Sequence, residues 1–131
     1  MAKNEIISPY FENGVFAGVR VTLGDEDFVI ARKDYQNGKE MTWQEAMEAL
    51  KVDGLDTRNY RQIFLTMAYR KEIDKVLNEN GGDNLENCYW TCTECIEDSH
   101  HIFWYDGHFG VLDFMPNNDT YCVRAIKNLK K

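Results

Sequence analysis

The sequence predicts a single α+β domain, and three observations predict it. An N-terminal stretch is dense in β-branched residues, a central stretch repeats its apolar residues at helical intervals, and the C-terminal half consists of short β-like runs separated by Gly, Asp, Asn and Pro.

Val15 to Leu23 (VFAGVRVTL) and Phe28 to Arg32 (FVIAR) flank the turn-forming run Gly24-Asp25-Glu26-Asp27, which predicts a β-hairpin. In MTWQEAMEALK, Thr42 and Glu45 have capping-box spacing while Trp43, Ala46, Met47 and Leu50 recur at helical intervals. A short amphipathic helix ending near Asp53-Gly54 is expected. From Tyr60 the positions Ile63, Phe64, Met67 and Ala68 form one apolar stripe, but Ile73, Val76 and Leu77 fall on the opposite side at 100° per residue. Two helices meeting around Tyr69 to Lys71, one helix packed on both sides, and one helix with a wide buried arc all fit that pattern. Asn80-Gly81-Gly82-Asp83 stops helical structure in each case. Beyond Leu85, CYWTCT, HIFWY, FGVLDF and TYCVRAI read as strands. No internal repeat, linker or low-complexity stretch divides residues 1–131.

The composition excludes several function classes. At 44% hydrophobic and 13% aromatic with 2 prolines, the 131 residues suit a packed core and not a disordered tail. The net charge is −7, and no window gathers enough Lys and Arg to follow a phosphate backbone, so nucleic acid is not an expected partner. The start, MAKNEIISPYFENG, lacks the apolar run of a secretory signal, and nowhere do eighteen apolar residues follow one another. Membrane insertion is therefore not expected. The compartment stays open, and a virion-associated or a cell-surface displayed protein is compatible with the sequence. The 4 cysteines of a signal-free chain read first as reduced thiols.

The stretch CYWTCTEC sets Cys88, Cys92 and Cys95 at the C-x3-C-x2-C spacing of iron-sulfur ligation, and all 3 histidines follow closely. Its place late in a short chain speaks against a cluster. Structural zinc would draw on Cys92, Cys95 and Cys122 with one of His100, His101 or His108. In the β-reading, however, Cys88, Trp90 and Cys92 share a face, and the cysteines are then small apolar neighbours of a core tryptophan. Asn118-Asp119 is an oxygen-rich pair suited to calcium, yet nothing nearby completes such a site. Neither a metal nor another cofactor is expected. No nucleophile elbow, phosphate loop or H-E-x-x-H helix is present, and the adjacent carboxylates Glu97 and Asp98 would point apart in an extended segment. The chain is read as non-enzymatic.

From Asp98 to Cys122 the sequence is DSHHIFWYDGHFGVLDFMPNNDTYC, without one Lys, Arg, Glu, Gln or Ala. That is odd for solvated strands and loops, where Lys, Glu and Gln are the ordinary exposed residues. Apart from Trp104 and Met115, every residue in it has a codon ending in a pyrimidine, the set reached when the first two adenines of an Asn codon are randomised.

Here a family resemblance also appears. Tyr89-Trp90-Thr91-Cys92-Thr93-Glu94 resembles the Y-W-S-S-T-E motif, and Tyr121-Cys122-Val123-Arg124-Ala125 the Y-x-V-R-x close, of C-type-lectin-like variable proteins of diversity-generating retroelements in bacteria and phage. Leu55-Asp56-Thr57 and the helix ending in Gly81-Gly82 are also similar, so the resemblance spans about Met41 to Ile126. Cys92 stands where Ser is usual, Asp56 where Pro is common, and the intervening segment is not Asn-rich.

The resemblance implies a C-type-lectin-like fold: an N-terminal β-hairpin and helices, then a twisted antiparallel sheet with long loops. It implies a fixed scaffold including Trp90, Glu94, Val123 and Arg124, with a variable binding region over residues 95–122 that displays a diversified surface to a protein or carbohydrate on a target cell. Glu94 and Arg124 are placed to pair across the strands that open and close that region, and two independent solvated charges fit as well. Candidate contacts are His100, His101, Phe103, Tyr105, Asp106, His108, Phe109, Asp113, Asn117, Asn118, Asp119 and Tyr121, a mixture of aromatic anchors and adaptable polar groups. Alternation sends about half of the strand aromatics outward, and register decides which half. Two rival readings remain. One is a copper-dependent oxidase, related to formylglycine-generating enzymes, working through Cys92, Cys95 or Cys122. The other is an interaction domain for one fixed partner.

Overall fold

The computed structural model describes residues 6–94, 101–106, 111–116 and 119–129, and the side chains of residues 60, 93, 94, 101–106 and 111–116 are outside that description. The elements run β1 (Ile7–Glu12), β2 (Val15–Leu23), β3 (Glu26–Ala31), α1 (Trp43–Val52), β4 (Asp56–Thr57), α2 (Tyr60–Ala68), α3 (Arg70–Glu79), β5 (Cys88–Glu94), β6 (His101–Asp106), β7 (Val111–Pro116) and β8 (Ala125–Asn128). Mixed α+β architecture is as expected from sequence.

The expected hairpin is the β2–β3 pair, with Leu23 opposite Glu26, so its turn is the two residues Gly24 and Asp25. It belongs to a larger antiparallel sheet of order β1-β2-β3-β8-β4. β1 was not anticipated. Its Pro9 cannot donate to a ladder and is accommodated because β1 is an edge strand. Asn13 and Gly14, at φ +53 and +80, make the tight β1–β2 turn that such residue pairs favour. Tyr10 pairs with Gly18 but Phe11 with Phe16, so Ala17 is an extra, bulged residue. At Gly18 the backbone comes so close that a Cβ would lie 2.0 Å from the Ile30 carbonyl oxygen.

The helices take both sides of this sheet. Val19, Val21, Phe28, Ile30 and Ile126 form one core with Ile63, Ile73 and Leu77 of α2 and α3. Ala125, next to Ile126 and so on the other face, packs with Ala46 and Leu50 of α1 and with Met41, Trp90 and Val123. The Thr42 and Glu45 capping box forms as the spacing predicted, and α1 ends at Asp53. The change of apolar face near Tyr69 is a break between two helices: α2 ends and α3 begins there, each burying its own stripe. A second capping box, Asn59 with Gln62, starts α2.

A second antiparallel sheet has the order β5-β6-β7. Of TYCVRAI, only Ala125 onward is regular strand, and it joins the N-terminal sheet as β8. Tyr121 and Cys122 make isolated bridges to Met41 and Tyr89.

Candidate functional site

The site is the root from which the segment after β5 departs and to which it returns before β8. Trp90 donates its backbone N–H to the Cys122 carbonyl at 3.1 Å and Cys122 donates to the Cys88 carbonyl at 3.0 Å, a short parallel ladder. Outgoing and returning chain are thus bonded to one another. On its other side the returning chain pairs with the loop after β3: Met41 and Tyr121 exchange N–H···O bonds at 3.0 and 3.1 Å, and Tyr35 N–H reaches the Val123 carbonyl at 2.7 Å.

Arg124 is the buried charge of the root, its side chain fully enclosed. Nη1 meets Asp34 Oδ1 at 2.9 Å, Nε donates to the Ala31 carbonyl at 2.8 Å, and Nη2 donates to the Asp83 carbonyl at 2.5 Å. Arg124 thus pairs with Asp34 and is not a solvated charge, which corrects that reading of it; the Glu94 side chain, the partner the sequence offered, lies outside the described residues. The loop after β3 brings Asp34, itself largely buried, to the enclosed Arg124 guanidinium. Asp34 also accepts the Tyr89 hydroxyl at 2.7 Å and the Asn87 amide at 2.5 Å. One carboxylate thereby fixes residues on both sides of the segment.

Tyr89 and Trp90, neighbours on β5, are both fully buried, toward opposite cores. The Arg58 guanidinium lies 5.5 Å from the centre of the Tyr89 ring. Burial, then the Asp34 charge and hydrogen bond, push the Tyr89 phenol well above its ordinary range. Trp90 donates Nε1–H to the Met41 carbonyl at 2.7 Å and packs edge-on against Tyr121 with ring centres 5.0 Å apart. Its carbonyl accepts the Thr57 hydroxyl at 3.0 Å, and the Trp43 indole donates to the Thr91 carbonyl at 2.9 Å. Of the sequence-predicted scaffold, Trp90, Val123 and Arg124 are all buried here.

Of the predicted contacts, Asp119 is exposed and Tyr121 half-buried, its ring against Trp90 and its hydroxyl 3.5 Å from Asp119. Tyr121 thus belongs to the root. The backbones of His101, Phe103, Tyr105, Asp106 and Asp113 are placed on β6 and β7, but their side chains lie outside the described residues. His100, His108, Phe109, Asn117 and Asn118 lie outside them entirely, as does Cys95.

Two of the described thiols, Cys92 and Cys122, are shifted away from the thiolate form. Burial, then the charge of Asp56, pushes Cys92 up to about 11, and burial followed by Asp34 and Glu40 pushes Cys122 up to about 11. Cys122 donates its thiol to the Gly38 carbonyl at 3.3 Å. Cys122 bridges Tyr89 and so shares its side of the ladder, whereas Cys88 and Trp90 alternate to the other. Among the described residues, no three His, Cys, Asp or Glu side chains gather as a metal site, and no helix is long and apolar enough to cross a membrane.

Sequence reasoning missed Asp34, Thr57 as a hydrogen-bond donor to the root, and Arg58. Asp34 sits in an ordinary turn-like stretch, Lys33-Asp34-Tyr35, and only its tertiary partners distinguish it. A scan against models of known families and a search of curated proteins both return no match to this chain.

Proposed function

We propose that this chain is a non-enzymatic C-type-lectin-like display domain whose segment between Cys95 and Cys122 presents a diversified recognition surface for a protein or glycan. The observation that carries the reading is the root. The chain leaves and returns through adjacent, hydrogen-bonded strands that are clamped by Asp34, Thr57 and Arg124, none of which lies in the segment. A frame closed in this way holds its register whatever sequence runs between its ends. The restricted composition of the segment and the Y-W-x-x-T-E and Y-x-V-R motifs at its borders support the same reading. The raised thiols of Cys92 and Cys122 weigh against cysteine-dependent oxidase chemistry, which needs an accessible thiolate.

Deep sequencing of the 3′ end of the gene from a natural population tests the proposal. Amino-acid variants confined to codons 95–122, at adenine-derived positions and sparing Trp90, Glu94 and Arg124, are expected. A uniform segment across the population overturns it.

A further inference from the structure

The five-stranded sheet carries a cavity on the face that it turns toward α1. Tyr10, Gly18 and Ala31 stand in register across β1, β2 and β3, and Gly18 adds no side chain to fill that row. The space left is about 120 Å³, lined mostly by Tyr10, Ala17, Val29, Ala31, Leu55 and Ala125. Ala31, Leu55 and Ala125 also pack into the cluster beneath α1, so the cavity borders that core. None of its lining residues lies on β5, β6 or β7.

Two charges complete the lining. Glu12 of β1 and Lys127 of β8 reach toward one another across β2 and β3 and meet at 2.9 Å, with side chains 46% and 52% exposed. The contact uses one carboxylate oxygen and one of the ammonium donors, which leaves both groups with bonding capacity. An exposed pair of long side chains also adds little to stability, so opening it costs little. Arg20 and Asp27, in the neighbouring row of the same face, differ: they close on one another through two bonds of 2.9 and 2.8 Å.

The geometry points to a binding site for a free aliphatic α-amino acid, with its side chain in the cavity, its carboxylate on Lys127 and its ammonium on Glu12. Size sets the apolar part. A cavity of about 150 Å³ takes benzene and drug-sized ligands occupy about 300–1,000 Å³, so the 120 Å³ here suits a branched group of roughly four carbons. Sugars and nucleotides exceed it, and apart from the two charges only the Tyr10 hydroxyl among the lining side chains would serve their polar groups. Charge sets the rest. When the pair opens, a fatty acid would satisfy Lys127 alone and an amine Glu12 alone. A free α-amino acid carries both charges on one carbon and replaces both halves of the contact, whereas either end of a peptide carries one.

Titration of the isotope-labelled full chain, read at the backbone amides of Ala17, Val29, Ala31, Leu55 and Ala125, tests this with four probes: L-leucine, glycine, L-leucinamide and N-acetyl-L-leucine. Leucine is expected to saturate with Kd on the order of 1 mM. Leucinamide and N-acetylleucine, each lacking one charge, should bind at least about fivefold more weakly, and glycine, lacking the apolar group, at least about tenfold. Glu12→Gln and Lys127→Met change exposed side chains, and each should keep the parent Tm while weakening leucine at least about fivefold. Ala17→Leu fills the cavity from a residue that belongs to neither core cluster and should abolish saturation. Absence of leucine-dependent shifts up to about 20 mM overturns the site. Leucinamide or N-acetylleucine binding as tightly as leucine, or full leucine affinity in both charge variants, overturns the amino-acid assignment. Full affinity in a folded Ala17→Leu chain overturns the cavity as the seat of the side chain, and if that variant fails to fold the two charge variants decide.

Discussion

Replacing Asp34 by Ala removes the carboxylate paired with a guanidinium that has no exposure to water. Stripping one partner from a buried ion pair costs about 3–5 kcal/mol, because the remaining charge stays desolvated. Arg124 keeps carbonyl acceptors at Ala31 and Asp83, which favours the lower end of that range, but Tyr89 loses the acceptor of its hydroxyl as well, for about 1 kcal/mol more. The expected loss is about 4 kcal/mol, a large part of the roughly 5–15 kcal/mol that holds a domain of this kind. Urea unfolding of D34A, R124M and the double variant measures it. The double variant should cost less than the sum of the two singles by at least about 1.5 kcal/mol, since both perturb one network. Strict additivity, or a D34A loss below about 1 kcal/mol, would falsify the view that Asp34 clamps the root.

Stability should fall between pH 9 and 11. The folded thiols of Cys92 and Cys122 sit at about 11, above the ordinary value of 9.0, so the unfolded chain ionises first; the stabilisation is complete below pH 9 and is lost as pH rises through 11. Half-exposure of Cys92 lets solvent screen part of the effect, leaving a joint contribution on the order of 2 kcal/mol; urea midpoints at pH 8 and 10.5 read it, and a C92A/C122A variant with an unchanged slope would refute the assignment. Thr42→Ala opens the α1 capping box and should cost about 1 kcal/mol in urea unfolding; no change would mean the cap is frayed in solution. Gly18→Ala drives a methyl group against the Ile30 carbonyl and should lower Tm by more than about 10 °C, whereas a neutral result would show that the bulge at Ala17 shifts freely.

What could be read from sequence was whatever local chemistry decides. Thr42 and Glu45 make their capping box because both partners lie within one turn, and the face change at Tyr69 showed as a break in periodicity between Ile63 and Ile73. β1 escaped because Pro9 and Asn13-Gly14 interrupt a short run that becomes a strand only by pairing with β2. β8 was legible as a strand, but its place between β3 and β4 was not, since register across more than ninety residues depends on the whole core. The same limit hid the centre of the root. Arg124 stood out through its motif, but Asp34 and Arg58 are recognisable only by what the fold brings beside them.

A root built on a buried charge differs physically from one built on apolar packing alone. Apolar surfaces attract without direction, so one aromatic-rich run of a displayed segment can replace another against an apolar core. The Asp34 carboxylate does not accept that substitution: it needs donors at the positions of the Tyr89 hydroxyl and Arg124 Nη1, and a slip of one residue along either strand removes one of them and leaves a buried charge unpaired. The penalty for such a slip is set by Asp34 and Arg124 and is independent of the sequence displayed. Under the proposed function, that independence is what allows an aromatic-rich segment to change without redirecting the fold. D34A should therefore impair registry more in chains with apolar segments than in chains with polar ones. Thermolysin resistance of D34A in two backgrounds, the present segment and one with Phe103, Phe109 and Phe114 changed to Ser, checks this. Equal losses in both would show that Asp34 contributes stability alone.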